Sequence, residues 1–255
     1  MTADASTPPP PEDPTAWVLD NSVAPFLLMS TPSIRYMCMF GYAMFHGNKI
    51  FSGLPASSST AFKFVSYVMA CVGGGIIVPI LLNGLPVALA NDALVLAMLS
   101  AFGIHLYFPI LREVFKLSDL LKATFVVLFE TFRCGVVIGL TTAAAAKIPP
   151  SVFPIPVFGP IFCGAIAGCG GAFLPFNKGL EPIKGGLASP MLSALVVAAC
   201  FHIFMSTPLS DGIESAKEKA HVHAAAFLVM VGLVNALGLN APDTKPKVTA
   251  AKKNV

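Results

Sequence analysis

Apolar residues gather along this chain in seven stretches, near positions 33–47, 61–82, 92–111, 121–146, 155–176, 187–206 and 222–239, with the charges and turn residues between them. A helix needs about 20 mainly apolar residues to span the hydrocarbon core of a bilayer, whereas a transmembrane barrel shows ten-residue alternating segments, which this sequence lacks. The pattern predicts an all-α polytopic membrane protein with seven transmembrane helices. The first stretch contains Arg35, and the apolar residues 25–28 extend it upstream. Residues 1–21 are Pro-rich, carry Asp4, Glu12, Asp13 and Asp20 without a basic residue, and lack the charged-then-apolar order of a cleaved signal peptide. They read as a disordered N-terminal tail, followed by a membrane domain over 22–240 and a basic C-terminal tail over 241–255.

Composition supports the same class. Only 11% of the 255 residues are charged, against roughly 25% in soluble domains, while 55% are hydrophobic. Too few charges are present to cover a globule in water, and a formal charge of +3 offers no basic face for nucleic acid. The six cysteines all lie in apolar stretches and form no C-x-x-C pair, so they read as small buried hydrophobes.

Cytoplasmic loops are enriched in Lys and Arg, and the connections alternate accordingly. Lys49, Lys63, Arg112, Lys116, Lys122, Lys178, Lys184 and the four C-terminal lysines fall on one side, against Lys147, Lys217 and Lys219 on the other. Eleven against three places the C-terminus in the cytosol and the N-terminus in the lumen, as seven crossings require. Lys252-Lys253-Asn254-Val255 resembles a dilysine signal for retrieval to the endoplasmic reticulum.

Gly74-Gly75-x-x-x-Pro79 in the second stretch recurs as Gly170-Gly171-x-x-x-Pro175 in the fifth, 96 residues later, with Gly73 preceding the first copy. Arg35 and Arg133 are 98 residues apart, each six residues before a glycine; Arg35 is either the pseudo-symmetric partner of Arg133 or an interfacial residue snorkelling to the head groups. Three stretches separate each pair, and an odd number of crossings inverts the second copy. The chain therefore reads as an inverted 3+3 repeat with a seventh helix appended, an arrangement common in transporters and some channels. Pro79 and Pro175 cannot donate to the carbonyls of Gly75 and Gly171, so both helices are expected to kink or break beside a polar path. Gly135-x-x-x-Gly139 and Gly164-x-x-x-Gly168 read as close helix packing.

Glu130 and Arg133 stand three apart on one face of the fourth helix. Either they pair to position that helix, or they lie on the path or at an anionic lipid head group. His105 and His202 read as hydrogen-bonded packing residues. His221 and His223, near Asp211, Glu214 and Glu218, mark either a solvated loop or a divalent-ion site. No nucleophile–base set, phosphate loop or metal cluster is apparent, so no enzyme, cofactor or catalytic residue is expected.

From Phe51 to Met205 the sequence resembles the trimeric intracellular cation (TRIC) channel family. Residues 51–55 leading into Gly73-Gly74-Gly75 resemble the approach to that family's second helix. Leu128-Phe129-Glu130-Thr131-Phe132-Arg133 falls where the family carries its Lys-Glu-Val-x-Arg signature, and the run 164–172 followed by Asn177 resembles its fifth helix and the segment after it. The resemblance implies a homotrimer with one pore per subunit in the endoplasmic or sarcoplasmic reticulum, passing K⁺ as counter-ion to Ca²⁺ release and uptake. Its ion pathway would be lined by Gly73, Gly74, Gly75, Pro79, Gly170, Gly171 and Pro175, with Glu130 and Arg133 near it. It also implies a phosphoinositide held by the Lys and Arg of the signature; Phe129 stands at the Lys position, which leaves Arg133 and, two turns earlier, Lys122. A secondary transporter of a small solute and a scaffold without a path are the competing readings.

Overall fold

The computed structural model describes residues 13–174 and 180–239. Each apolar stretch carries one long helix: α1 (Pro32–Gly53), α2 (Thr60–Leu81), α3 (Asp92–Tyr107), α4 (Asp119–Lys147), α5 (Phe158–Cys169), α6 (Ser189–Met205) and α7 (Ala216–Ala236). The described residues contain short additional helical turns and no strand. By length and composition α2, α4 and α7 can each cross a membrane, while α3, α5 and α6 are apolar helices of 16, 12 and 17 residues.

Four helices begin where the sequence supplies a cap. Thr31, Ser59, Asn91 and Ser118 accept the backbone N–H three residues ahead, at 3.3, 3.2, 3.0 and 3.2 Å, starting α1 to α4. Such caps contribute about 1 kcal/mol each. At its far end α2 is held by Lys147, which closes α4 and donates to the Leu82 carbonyl at 3.1 Å. A cation at a helix C-terminus also meets the negative end of the helix dipole.

Packing divides between the two halves. Cys38, Tyr67, Met98 and Phe102 belong to an apolar cluster of α1, α2 and α3, whereas Val137, Val197, Ala198 and Leu228 join α4, α6 and α7. Large apolar side chains also cover the outside, among them Val65, Leu96, Phe162 and Met230. That coat, on helices of spanning length, identifies a multi-pass protein embedded in a membrane.

Three sequence expectations change. Residues 13–21, assigned to the disordered tail, are ordered: a 3₁₀ turn over Ala16–Val18 sits at the start of α7, where the buried Lys219 ammonium pairs with Asp13 and donates to Thr15 Oγ1 at 2.8 Å. That ammonium and the two Thr15 donors lower the Asp13 carboxyl to about 2. Arg35 lies exposed in the first turn of α1 rather than deep in a span. Of the two Gly-x-x-x-Gly pairs, Gly164 and Gly168 admit Ala198, Ala194 and Val137 of the neighbouring helices, but Gly139 has open space beside it. The basic tail 241–255, residues 1–12 and Pro175 lie outside the described residues.

Candidate functional site

The two glycine motifs meet. A side chain at Gly73 would strike the Gly171 backbone nitrogen at 2.5 Å, and one at Gly170 would strike the Gly74 Cα at 2.5 Å. Gly74 lies against the Ala167 carbonyl, and Gly171 against the Ala70 carbonyl. Exchanging each residue of the first pair for the one 97 positions away yields the second, so the crossing of α2 and α5 has the reciprocity of a two-fold axis. The backbones touch with no room for a methyl group, which only glycine permits.

The two motifs nevertheless differ in conformation. The expectation of a kink in both is met in the fifth helix alone. There α5 stops at Cys169 and continues as a 3₁₀ turn over Gly170–Ala172. In contrast α2 runs unbroken through Gly73–Gly75 and ends two residues past Pro79, with Asn83 in the left-handed region at φ 51°. Pro79 therefore terminates rather than kinks the helix: it leaves the Gly75 carbonyl without a helical donor, and α2 stops two residues later.

On one side of the crossing lies a cavity of about 370 Å³. Gly74, Gly170 and Gly171 are at its head; Glu130 and Lys49 line it with the rings of Tyr42, Phe45, His46 and Phe129. Phe129 stacks on Tyr42 with centroids 5.0 Å apart and lies 4.5 Å from Phe45. His46 Nε2 is buried and has no hydrogen-bond partner among the described residues.

Beside this vestibule, Arg133 is only 2% exposed, and each of its guanidinium nitrogens has a partner. Nε donates to Glu130 at 2.6 Å, Nη1 to the Pro190 carbonyl at 2.8 Å and to the Gly168 carbonyl at 3.5 Å, and Nη2 to Ser193 at 3.0 Å. One side chain thus ties α4 to α5 and α6. The corresponding link in the first half comes from Tyr42, which donates to the Cys71 carbonyl at 2.8 Å. Cys71 and Gly168 are again 97 positions apart, so Tyr42 serves in the first half the acceptor that Arg133 serves in the second, although the two donors do not occupy equivalent positions.

Two solved structures share this architecture. One is a trimeric intracellular cation channel from C. elegans in the absence of Ca²⁺, with a TM-score of 0.63, 14% identity, and coverage of 90% of this chain and 96% of the other. The second is a TRIC counter-ion channel active in calcium release, with a TM-score of 0.61, 18% identity, and coverage of 88% and 98%. The chain has the TRIC fold. No protein-family profile matches it. No curated protein matches its sequence.

Within the TRIC fold the residues expected at the pathway separate into two sets. Gly73, Gly74, Gly170 and Gly171 form the crossing, with Glu130 at the vestibule; Gly75 faces Val87, and Pro79 closes α2. Arg133 and Lys122 are not brought together. They stand eleven residues apart on α4, about 16 Å of helical rise, and Lys122 is paired with Asp119 at 2.9 Å. His105 binds the Met44 carbonyl at 3.0 Å across the Gly47 gap, and His202 binds the Pro156 carbonyl at 2.6 Å, both as packing residues. Tyr42, Phe45, His46 and Ser193 were not singled out from the sequence. The one available signal was Tyr42 and His46 four apart, polar tips on one face of an apolar helix.

Proposed function

We propose that this protein is a monovalent-cation channel of the TRIC type, passing K⁺ through a path in each subunit between α2 and α5. One observation carries the reading: α5 is only 12 residues long, about 18 Å of rise where the hydrocarbon core is about 30 Å, and its unwound end abuts the glycine crossing at the head of the vestibule. A helix that ends inside the bilayer is tolerated only where protein or water meets its carbonyls, and those carbonyls are suited to a passing cation. Glu130 adds an acidic oxygen beside them. The TRIC fold of the neighbours, described as trimeric and as counter-ion channels, supports seven spans, a homotrimer and a counter-ion role in Ca²⁺ release and uptake. The lysine distribution supports a luminal N-terminus and a cytosolic vestibule, and the likeness to an intracellular cation channel supports an endoplasmic or sarcoplasmic reticulum membrane.

A phosphoinositide on the cytosolic side belongs to the same proposal, but its head group would take Lys122 or Lys49 rather than Arg133, whose donors are engaged inside the bundle. Purified protein in planar bilayers is expected to give discrete K⁺ current steps with a K⁺-directed reversal potential in asymmetric KCl. Saturable slow uptake without steps would favour the transporter reading instead, and well-folded trimers that give neither current nor uptake would defeat both.

A further inference from the structure

Between α3 and α4 the chain forms a short helix over Ile110–Leu117 that the proposed path does not use. A helix of eight residues is marginal by its own hydrogen bonds, so its neighbours must hold it. Phe115 is buried and packs on Phe125 of α4, with ring centroids 4.5 Å apart. Arg112 donates to the His105 carbonyl of α3 at 2.5 Å, and its guanidinium lies 5.5 Å from the centre of the Phe51 ring at the end of α1. The outward face is apolar as well. Ile110, Val114 and Leu117, at spacings of four and three, fall on one side of the helix. All three are exposed, Leu117 by 86%. A row of large aliphatic side chains with nothing over it marks a contact surface.

The joints at its two ends identify the partner. Ser118 ends this helix and caps the start of α4, so a single extended residue separates the two. The short helix therefore lies at the level where α4, long and apolar enough to span, enters the bilayer. That level has the mixed chemistry of a membrane surface. In the first turn of α4, Leu120 is 80% exposed beside the Asp119–Lys122 ion pair, whose Asp119 is exposed too. At the other end Tyr107 and Phe108 are exposed where α3 stops, and tyrosine collects at membrane–water interfaces. A protein partner would have to cover the aliphatic row and leave a charged pair in water within one turn of it; a bilayer surface does both. We propose that Ile110–Leu117 is an interfacial helix resting on the lipid surface, with Ile110, Val114 and Leu117 dipping about 5–10 Å into the boundary between head groups and acyl chains. The inference requires only that the protein lie in a bilayer, and it stands whether or not the protein conducts.

Trp17 is the sole tryptophan of the chain, so Trp17→Phe gives a silent background. On that background Val114→Trp, Leu117→Trp and Asp119→Trp each place one indole at an exposed position, where the core is not disturbed. Full-length protein is reconstituted in phosphatidylcholine vesicles brominated either high on the acyl chains, close to the head groups, or near the chain ends. The Val114→Trp and Leu117→Trp reporters should emit to the blue of an indole in water and be quenched several-fold more by the shallow bromines than by the deep ones. The Asp119→Trp reporter should be quenched several-fold less than either. Three results overturn the proposal. Emission as in water without quenching would put the helix in solvent, and blue-shifted emission without quenching would mean that a second copy covers this face. Quenching stronger from the deep bromines, or equal at Leu117 and Asp119, would mean that the helix does not lie along the surface with its aliphatic row inward.

Discussion

The two halves of the bundle solve one problem with different donors. In each, a carbonyl beside the crossing of α2 and α5 receives a side chain from the first helix of its half: Tyr42 to Cys71 in one, Arg133 to Gly168 in the other. The neutral hydroxyl accompanies a helix that stays whole, and the guanidinium accompanies one that unwinds at the next residue. Arg133 also holds Pro190 and Ser193 of α6, so the broken end is pinned from two helices, whereas α2 needs only its own ladder. Symmetry in the glycine contacts thus coexists with asymmetry in what surrounds them, and a motif alone does not dictate the backbone it adopts.

The comparison can be broken most forcefully at the charged member. Arg133→Leu strands Glu130 in a buried site and should cost about 3–5 kcal/mol, read as a fall in the thermal unfolding midpoint of detergent-solubilised protein. Removing Glu130 as well, as leucine, should restore part of that loss. At the crossing itself, Gly74→Ala and Gly171→Ala each drive a methyl into a backbone carbonyl and should cost about 1–3 kcal/mol or more. Equal costs would establish that the two sides are equivalent, while a large effect at one alone would place the strain in a single half. Tyr42→Phe removes one hydrogen bond to the unbroken helix and should cost only about 0.5–1.5 kcal/mol. The smallest effect is expected at Gly139→Ala, where space is open and alanine favours the helix by up to about 1 kcal/mol; the midpoint there should hold or rise.

The helices were legible because apolar stretches and Thr, Ser and Asn caps are local signals. The crossing was legible too, since a glycine pair repeated three spans apart has few structural uses. Tyr42 was not, because its role depends on a carbonyl 29 residues away on another helix and tyrosine in an apolar run is ordinary. Residue type and spacing make Arg35 a candidate partner of Arg133, yet its place in the first turn of α1 leaves it exposed, at the interfacial position. The ordered segment at residues 13–21 is not legible in the sequence because the partner of Asp13, Lys219, is 206 residues distant, and its proline-rich acidic composition matches that of a free tail.

The burial of Arg133 has a consequence for how the protein is made. Its partners on α6, Pro190 and Ser193, are synthesised 57 and 60 residues after it, so α4 leaves the ribosome before them. An arginine at the centre of an isolated helix costs roughly 2.5–3.5 kcal/mol on insertion. Glu130 is the one partner that leaves the ribosome together with Arg133, one helical turn ahead. It supplies the counter-charge while the helix enters the bilayer, and Arg133 keeps it and adds Pro190 and Ser193 when α6 arrives.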